Sequence, residues 1–320
     1  MRKVISGLVL ATLPIAPVFA GPVEDYETLR EEVWQSALDA SPTLATSVGD
    51  RRGDGQLGEL SLDQYQTDID EARTYRLRLD GIDQSALPVD LQVDYAVLVS
   101  SLDDMIAASL HDQTRYILFT NRGGWFSGFA SLPYRSPFFT LADYRSYLGR
   151  LEAYRTVNLQ GIERSKQAIA NGMTQPCEPM IGFENRIEQQ IVDDHTASPF
   201  WQPFAGDKPG AISDEEWAQM KASAQALITG VVVPAYQEFL TFYTDEYAPN
   251  CRSGTPGILA TPGGDDYYEY RVRSFTTTDM TPDEVHNLGL SEVARIRAEM
   301  VEVATEAGFE TREAFIEHLR

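Results

Sequence analysis

The sequence predicts an all-α protein, an elongated multi-helix bundle with long irregular loops. Three observations predict it. Apolar residues recur at steps of three and four along most of the chain, the spacing that gathers side chains on one helical face. Helix-start signals are frequent, with a capping box read at Ser61 with Gln64, at Ser213 with Glu216 and at Thr281 with Glu284. Long alternating apolar and polar runs, the mark of half-buried strands, are absent.

Taken in order, the chain opens with Met1-Arg2-Lys3, an apolar run from Val4 to Phe19, and Ala20 before Gly21. This is the pattern of a secretory signal peptide cleaved after Ala20, which sends the mature chain, residues 21–320, to the periplasm or the medium. The run is shorter than the roughly 20 residues of a membrane span, and Pro14 and Pro17 interrupt it. No cysteine stands near the junction to carry a lipid, and no other segment is long and apolar enough to cross a bilayer.

Glu24 to Ala40 carries Leu29, Val33, Ala37 and Leu38 on one side and stops before Ser41-Pro42, as a helix does ahead of proline. Asp50 to Leu60 is rich in Gly and Asp and reads as a loop. Ser61 starts a helix lined by Tyr65, Ile69, Ala72 and Leu79. Pro88 opens another, with Leu91, Tyr95, Leu98, Leu102, Ile106 and Leu110 in register. From Thr120 to Thr140 the pattern breaks into glycines, prolines and six aromatic rings, expected as an irregular loop pinned to the core by those rings or lining a ligand cleft. Arg122 and Arg135 in this segment can meet a peptide carboxylate or pair with the chain's own acids.

Thr140 caps a helix bearing Leu141, Tyr144, Leu148, Leu151, Leu159 and Ile162 that stops near Asn171-Gly172. A shorter helix with Ile187 and Ile191 follows, then a loop from His195 to Gly210. Ser213 starts a helix running to about Tyr247, with a kink expected at Pro234. Ala248 to Gly264 is the best candidate for a joint. Thr281 caps a last long helix, with Pro282 at its first position. Its stripe of Val285, Leu288, Val293, Ile296, Met300 and Val303 needs a partner. Gly308 ends it, and Thr311 starts another helix whose apolar face is Phe315, Ile316 and Leu319.

The formal charge is -22, and it becomes -24 once Arg2 and Lys3 leave with the leader. Such a chain repels nucleic acid and anionic lipid, so neither is expected as a partner. Cys177 and Cys251 are the only cysteines. In an oxidising compartment they form a candidate disulfide, although their spacing alone does not show that the sulfurs meet. None of the four histidines begins the H-E-x-x-H spacing that sets two imidazoles on one helical face beside a glutamate. His195 follows Asp193-Asp194, a conceivable ligand cluster that reads more simply as a charged surface loop. No G-x-S-x-G elbow is present.

The stretch around the last long helix also carries a resemblance. Pro262-Gly263-Gly264, Tyr267-Tyr268, Thr276-Thr277-Thr278-Asp279, Thr281-Pro282, His286 and Leu288-Gly289-Leu290 are similar to the middle of a secreted bacterial zinc-peptidase-like family, domain of unknown function 885. Ser41-Pro42 with Ala45-Thr46 and Gly49-Asp50 resembles its opening motif. Asn121-Arg122-Gly123-Gly124-Trp125 and Asp143 to Leu148 resemble its second block, and Glu246-Tyr247, Pro249 and Cys251-Arg252 its lead-in to the Gly-Gly stretch.

The resemblance implies zinc-dependent hydrolysis of a peptide or small peptide-like substrate on a mostly helical fold. The family's metal motif lies in a C-terminal half that has no counterpart here. The chain is therefore expected to be the N-terminal portion of a larger helical metallopeptidase-like fold, inactive alone, with zinc belonging to the full-length member and no metal ligand or cofactor expected here. The alternative is a periplasmic helical binding or scaffold protein without catalysis. Arg122, Trp125, Tyr267, Tyr268 and His286 are the candidate cleft-lining residues; the catalytic residues are not identified.

Overall fold

The structure, a computed structural model, describes residues 21–255 and 257–320. The leader lies outside the described residues. The fold is all-α, with fourteen α-helices among the described residues and a single two-residue hairpin. No described helix is long and apolar enough to cross a membrane.

The first helices build a core of their own. They are α1 (Pro22–Ala40), α3 (Leu62–Asp80) and α4 (Val89–Ala108), while α2 (Pro42–Ser47) contributes no residue to this core. Tyr26 and Leu29 of α1, Ala72 and Leu79 of α3, and Tyr95 and Leu102 of α4 are buried together. The Tyr95 hydroxyl donates to the Leu79 carbonyl at 2.8 Å. Two sequence expectations are corrected here. Ser61 accepts from the Gln64 amide, but the Gln64 side chain turns forward to Asp68, so the box at the start of α3 is half formed. The helix α4 ends at Ala108, where the Ser109 and Thr114 hydroxyls take up its last carbonyls, and Leu110 beyond it is 75% exposed.

The larger core surrounds α8. Ahead of it come α5 (Asp112–Tyr116), the hairpin β1 (Phe119–Thr120) and β2 (Gly123–Gly124), α6 (Trp125–Ala130) and α7 (Leu132–Arg135). The segment expected to be an irregular loop is thus largely folded. Isolated helices this short are unstable, and α6 persists because Phe126 and Phe129, three apart, bury their rings in the core. Helix α8 (Leu141–Ala170) begins with a capping box of Thr140 and Asp143. It buries Tyr147, Leu151, Tyr154 and Ile162, with Arg150, Asn158 and Arg164 interleaved on the same buried surface. Leu159, expected on this face, is half exposed, because eight residues past Leu151 the helix has turned about 80° off it.

After α8, the short α9 (Glu184–Glu188) buries Ile187 and stops before Ile191. Then α10 (Asp214–Leu227) and α11 (Val233–Phe242) close the core with Trp217, Met220, Tyr236 and Phe239. Between them lies a π turn, Ile228–Val232, directly ahead of Pro234. The widened turn accommodates the donor that proline lacks, so the expected interruption takes this form.

A disulfide joins Cys177 to Cys251, with Cα atoms 5.1 Å apart. Backbone bonds flank it: Cys177 N donates to the Arg252 carbonyl and Arg252 N to the Gln175 carbonyl, both at 2.9 Å. The segment read as a joint is further tied at its far end, where the Gln113 amide donates to Thr261 Oγ1 and the Pro262 carbonyl at 2.8 Å. Then come α12 (Gly264–Thr276), α13 (Pro282–Glu306) and α14 (Arg312–Leu319). The Gly-Gly pair before α12 is explained by packing. Gly263 is left-handed, and a Cβ on Gly264 would run into the Ile258 carbonyl and lie 2.8 Å from the Leu259 Cα.

Candidate functional site

A cleft of about 810 Å³ lies between α2, α6, α7 and α8. That size suits a small organic ligand or a peptide end. Its wall is set by Trp125, the first residue of α6. The indole Nε1 donates to Asn158 Oδ1 at 3.1 Å, and the fully buried Asn158 donates in turn to the Ala235 carbonyl at 2.9 Å. This relay fixes the indole against α8 and α11. The ring lies flat enough on α8 that a Cβ at Gly161 would come within 2.6 Å of it. Gly161→Ala gains helix propensity of about 1 kcal/mol, but the rigid indole has no room to yield. The expected net loss is about 1–3 kcal/mol, read by urea unfolding together with an altered tryptophan emission.

Deeper in the cleft, Phe129 stacks on Tyr154, ring centroids 3.6 Å apart and planes within 1°. The floor is Arg150, only 3% exposed. Its Nε donates to the Gln56 carbonyl at 3.0 Å, and its Nη2 to the Pro42 carbonyl at 3.1 Å and to Thr46 Oγ1 at 2.5 Å. Asp54 lies 3.9 Å away and is shared with Thr46 and Arg51. Burial pulls the Arg150 guanidinium below its ordinary value, and the Asp54 charge opposes that pull. Arg51 also reaches Asp143 at 2.5 Å. Burial pushes the Asp143 carboxyl up, but bonds from Arg51, Thr140 and Phe139 outweigh it and hold the group below the usual carboxylate range. The loop from Asp50 to Leu60 is therefore held to α8 by charge-assisted bonds. The Ser41-Pro42 and Ala45-Thr46 motif earns its place by supplying acceptors for Arg150.

The structure brings few of the sequence candidates together. Trp125 lines the cleft, and so does Arg135. Arg122 is exposed in the hairpin, outside the cleft lining, and its carbonyl accepts from Arg186 at 3.3 Å. Tyr267 packs edge-on against His111, whose ring stacks on Tyr270 at 4.9 Å. Tyr268 is 43% exposed on α12, and His286 is exposed on α13. Among the described residues, no hydrogen bond, ion pair or ring contact joins Trp125 to Tyr267, Tyr268 or His286. Sequence reading did not single out Arg150 for the site. Its signal was a charge in phase with Tyr147 and Tyr154 on a buried face.

His111 offers a pH test. Burial first holds its imidazole below the ordinary value, with Asp266 raising and Arg273 lowering it. The unfolded chain protonates near pH 6.5, while the folded chain resists. The stabilising contribution of neutral His111 is thus present above about pH 6.5 and lost as pH falls through the depressed folded value. His111→Phe should flatten this part of the stability profile in urea melts between pH 7.5 and 5.5.

The residues do not fit a zinc site. His111 is stacked among tyrosines, His195 sits edge-on to Trp201, His318 lies against Phe309, and His286 stands alone on the surface. Among the described residues, no group of three His, Cys, Asp or Glu side chains converges on a metal-sized point.

A family model described as bacterial protein of unknown function, DUF885, matches residues 42–320. The chain belongs to this family. Among the candidate cleft residues of this DUF885 protein, Trp125 reaches the cleft. The fold is similar to the crystal structure of the "putative lipoprotein from Colwellia psychrerythraea", with TM-score 0.78 and 18% identity over 90% of this chain. This chain covers 52% of that one, so it spans about half the length of the solved structure it resembles. No curated protein matches the sequence.

Proposed function

We propose that this chain is the N-terminal, cleft-forming portion of a larger secreted zinc-dependent peptidase-like hydrolase. It supplies cleft walls and contacts to a peptide or small peptide-like substrate, and the metal ligands come from the other half. One observation carries the incomplete-fold part of the reading, and the zinc-peptidase part rests on the motif resemblance. Helix α13 exposes Leu288 (50%), Val293 (48%), Ile296 (45%), Met300 (37%) and Val303 (53%), and buries only Ala304. An amphipathic helix of 25 residues normally buries such a stripe. The occupant that suits it is the remaining half of the same fold, in keeping with the 52% coverage of the similar structure. A net charge of -22 argues against nucleic acid or an anionic membrane as partner.

The test is Ile296→Glu with Val303→Glu. In the 320-residue chain the pair should cost no more than about 0.5 kcal/mol, as surface changes do. In the product of a coding frame extended past Arg320, the same pair should uncouple the halves and abolish chelator-sensitive peptide hydrolysis. Unchanged hydrolysis in the extended variant would end the proposal. A second reading is a periplasmic helical binding or scaffold module without catalysis, supported by a cleft of ligand size. A stop codon at Arg320 with ligand binding by the chain itself would select it.

A further inference from the structure

We propose that the cleft between α2, α6, α7 and α8 binds a carboxylate standing beside an apolar or aromatic group, with Arg150 at the floor and Arg135 at the rim as the carboxylate's partners. This goes beyond the half-enzyme reading and does not rest on it, because holding a carboxylate here needs neither a metal nor catalysis.

The charge on the floor is incompletely matched. Burying a guanidinium costs several kcal/mol unless its donors and its charge are both answered. Arg150 spends Nε and Nη2 on two neutral carbonyls and a hydroxyl. Its Nη1 has no hydrogen-bond partner among the described residues, and Arg150 is one of the residues that line the cleft. The one nearby carboxylate, Asp54 at 3.9 Å, already accepts from Thr46 and Arg51. An anion entering the cleft would meet an unspent donor on a desolvated cation, where an ion pair is stronger than at the surface. Arg135, exposed and lining the same cleft, has no ion pair or hydrogen bond among the described residues.

The surroundings point the same way. The chain holds 48 acids against 26 bases, yet among the described residues no acid lines this cleft. Across the Leu57–Gly58 wall, which the two cavities share, the adjoining cleft has six acids and no base, among them Glu31, Asp39 and Glu71. The charges are sorted by side, so the arginine pair is not a sample of an evenly mixed surface. Between the arginines the wall is Trp125, Phe129, Leu132 and Leu44, a bed for a ring or branched side chain.

The test is calorimetric titration of the 320-residue protein with N-acetyl-phenylalanine, its C-terminal amide, and N-acetyl-alanyl-alanyl-phenylalanine. The acid should bind at least tenfold more tightly than the amide, and added salt should shrink the difference. Arg135→Gln should weaken the acid about tenfold, leave the amide unchanged and leave the melting temperature in place. Arg150→Lys, checked for folding by circular dichroism, should remove most of the acid-over-amide preference. A tripeptide tighter than the single residue assigns the carboxylate to a peptide C-terminus; a weaker tripeptide assigns it to a free acylated amino acid. Equal binding of acid and amide, no binding of either at millimolar concentration, or an Arg135→Gln protein that keeps the full preference would overturn the proposal.

Discussion

Arg164→Met is expected to lower stability by about 3–5 kcal/mol. Arg164 lies on α8 and is 7% exposed. Its Nε donates to the Arg115 carbonyl, Nη1 to the Leu60 carbonyl and Nη2 to the Thr114 carbonyl, the last two at 3.3 Å. Its guanidinium also lies 4.8 Å over the Tyr65 ring. One side chain thus holds the loop before α3, the start of α3 and the end of α5 against the central helix. Burial pulls its guanidinium below the ordinary value, so the charge is costly where it sits. Methionine relieves that cost, but it fills the space without a donor and leaves three carbonyls facing a thioether. Stranded acceptors cost about 1–3 kcal/mol each, so the loss outweighs the relief. Lysine, a single point donor, should recover only part. Urea unfolding with an unchanged slope and a lower midpoint would show the effect, and a methionine variant within 1 kcal/mol of wild type would contradict it.

Removing the disulfide by Cys177→Ala with Cys251→Ala is expected to cost on the order of 4 kcal/mol. The cysteines are 74 positions apart, and the loop they close contains α9, α10 and α11. The backbone bonds between Arg252 and residues 175 and 177 hold the same geometry without the sulfurs. The folded state should therefore keep its helical signal, and the loss should come from the freer unfolded chain. Thermal melts with and without reductant check this. A shift below about 2 °C would show that the bridge closes no loop the unfolded chain would otherwise open.

Much of the fold was legible because its helix starts are written locally. Thr140, Ser213 and Thr281 cap where the sequence says, and Thr311 follows. The apolar stripe of α13 was equally plain from spacing alone, whereas its exposure was not. The short helices α6 and α7 were not, because distant partners of Phe126 and Phe129, not local propensity, hold them. The site was legible only in part. Trp125 and Arg135 reach the cleft, whereas Arg122, Tyr267, Tyr268 and His286 were grouped by motif and are parted by the packing. Arg150 and Arg164 carried a usable signal, a cation in step with buried aromatic and small residues on α8. Their partners are carbonyls from remote segments, which no spacing rule records.

The proposal that any metal ligands lie outside these 320 residues is most directly tested by equilibrating the isolated chain with equimolar zinc, then measuring bound metal after gel filtration and hydrolysis of a peptide library. The half-enzyme reading predicts no stoichiometric zinc retained and no cleavage that a chelator removes. One zinc held tightly per chain, with chelator-sensitive peptide hydrolysis by the chain alone, would contradict it.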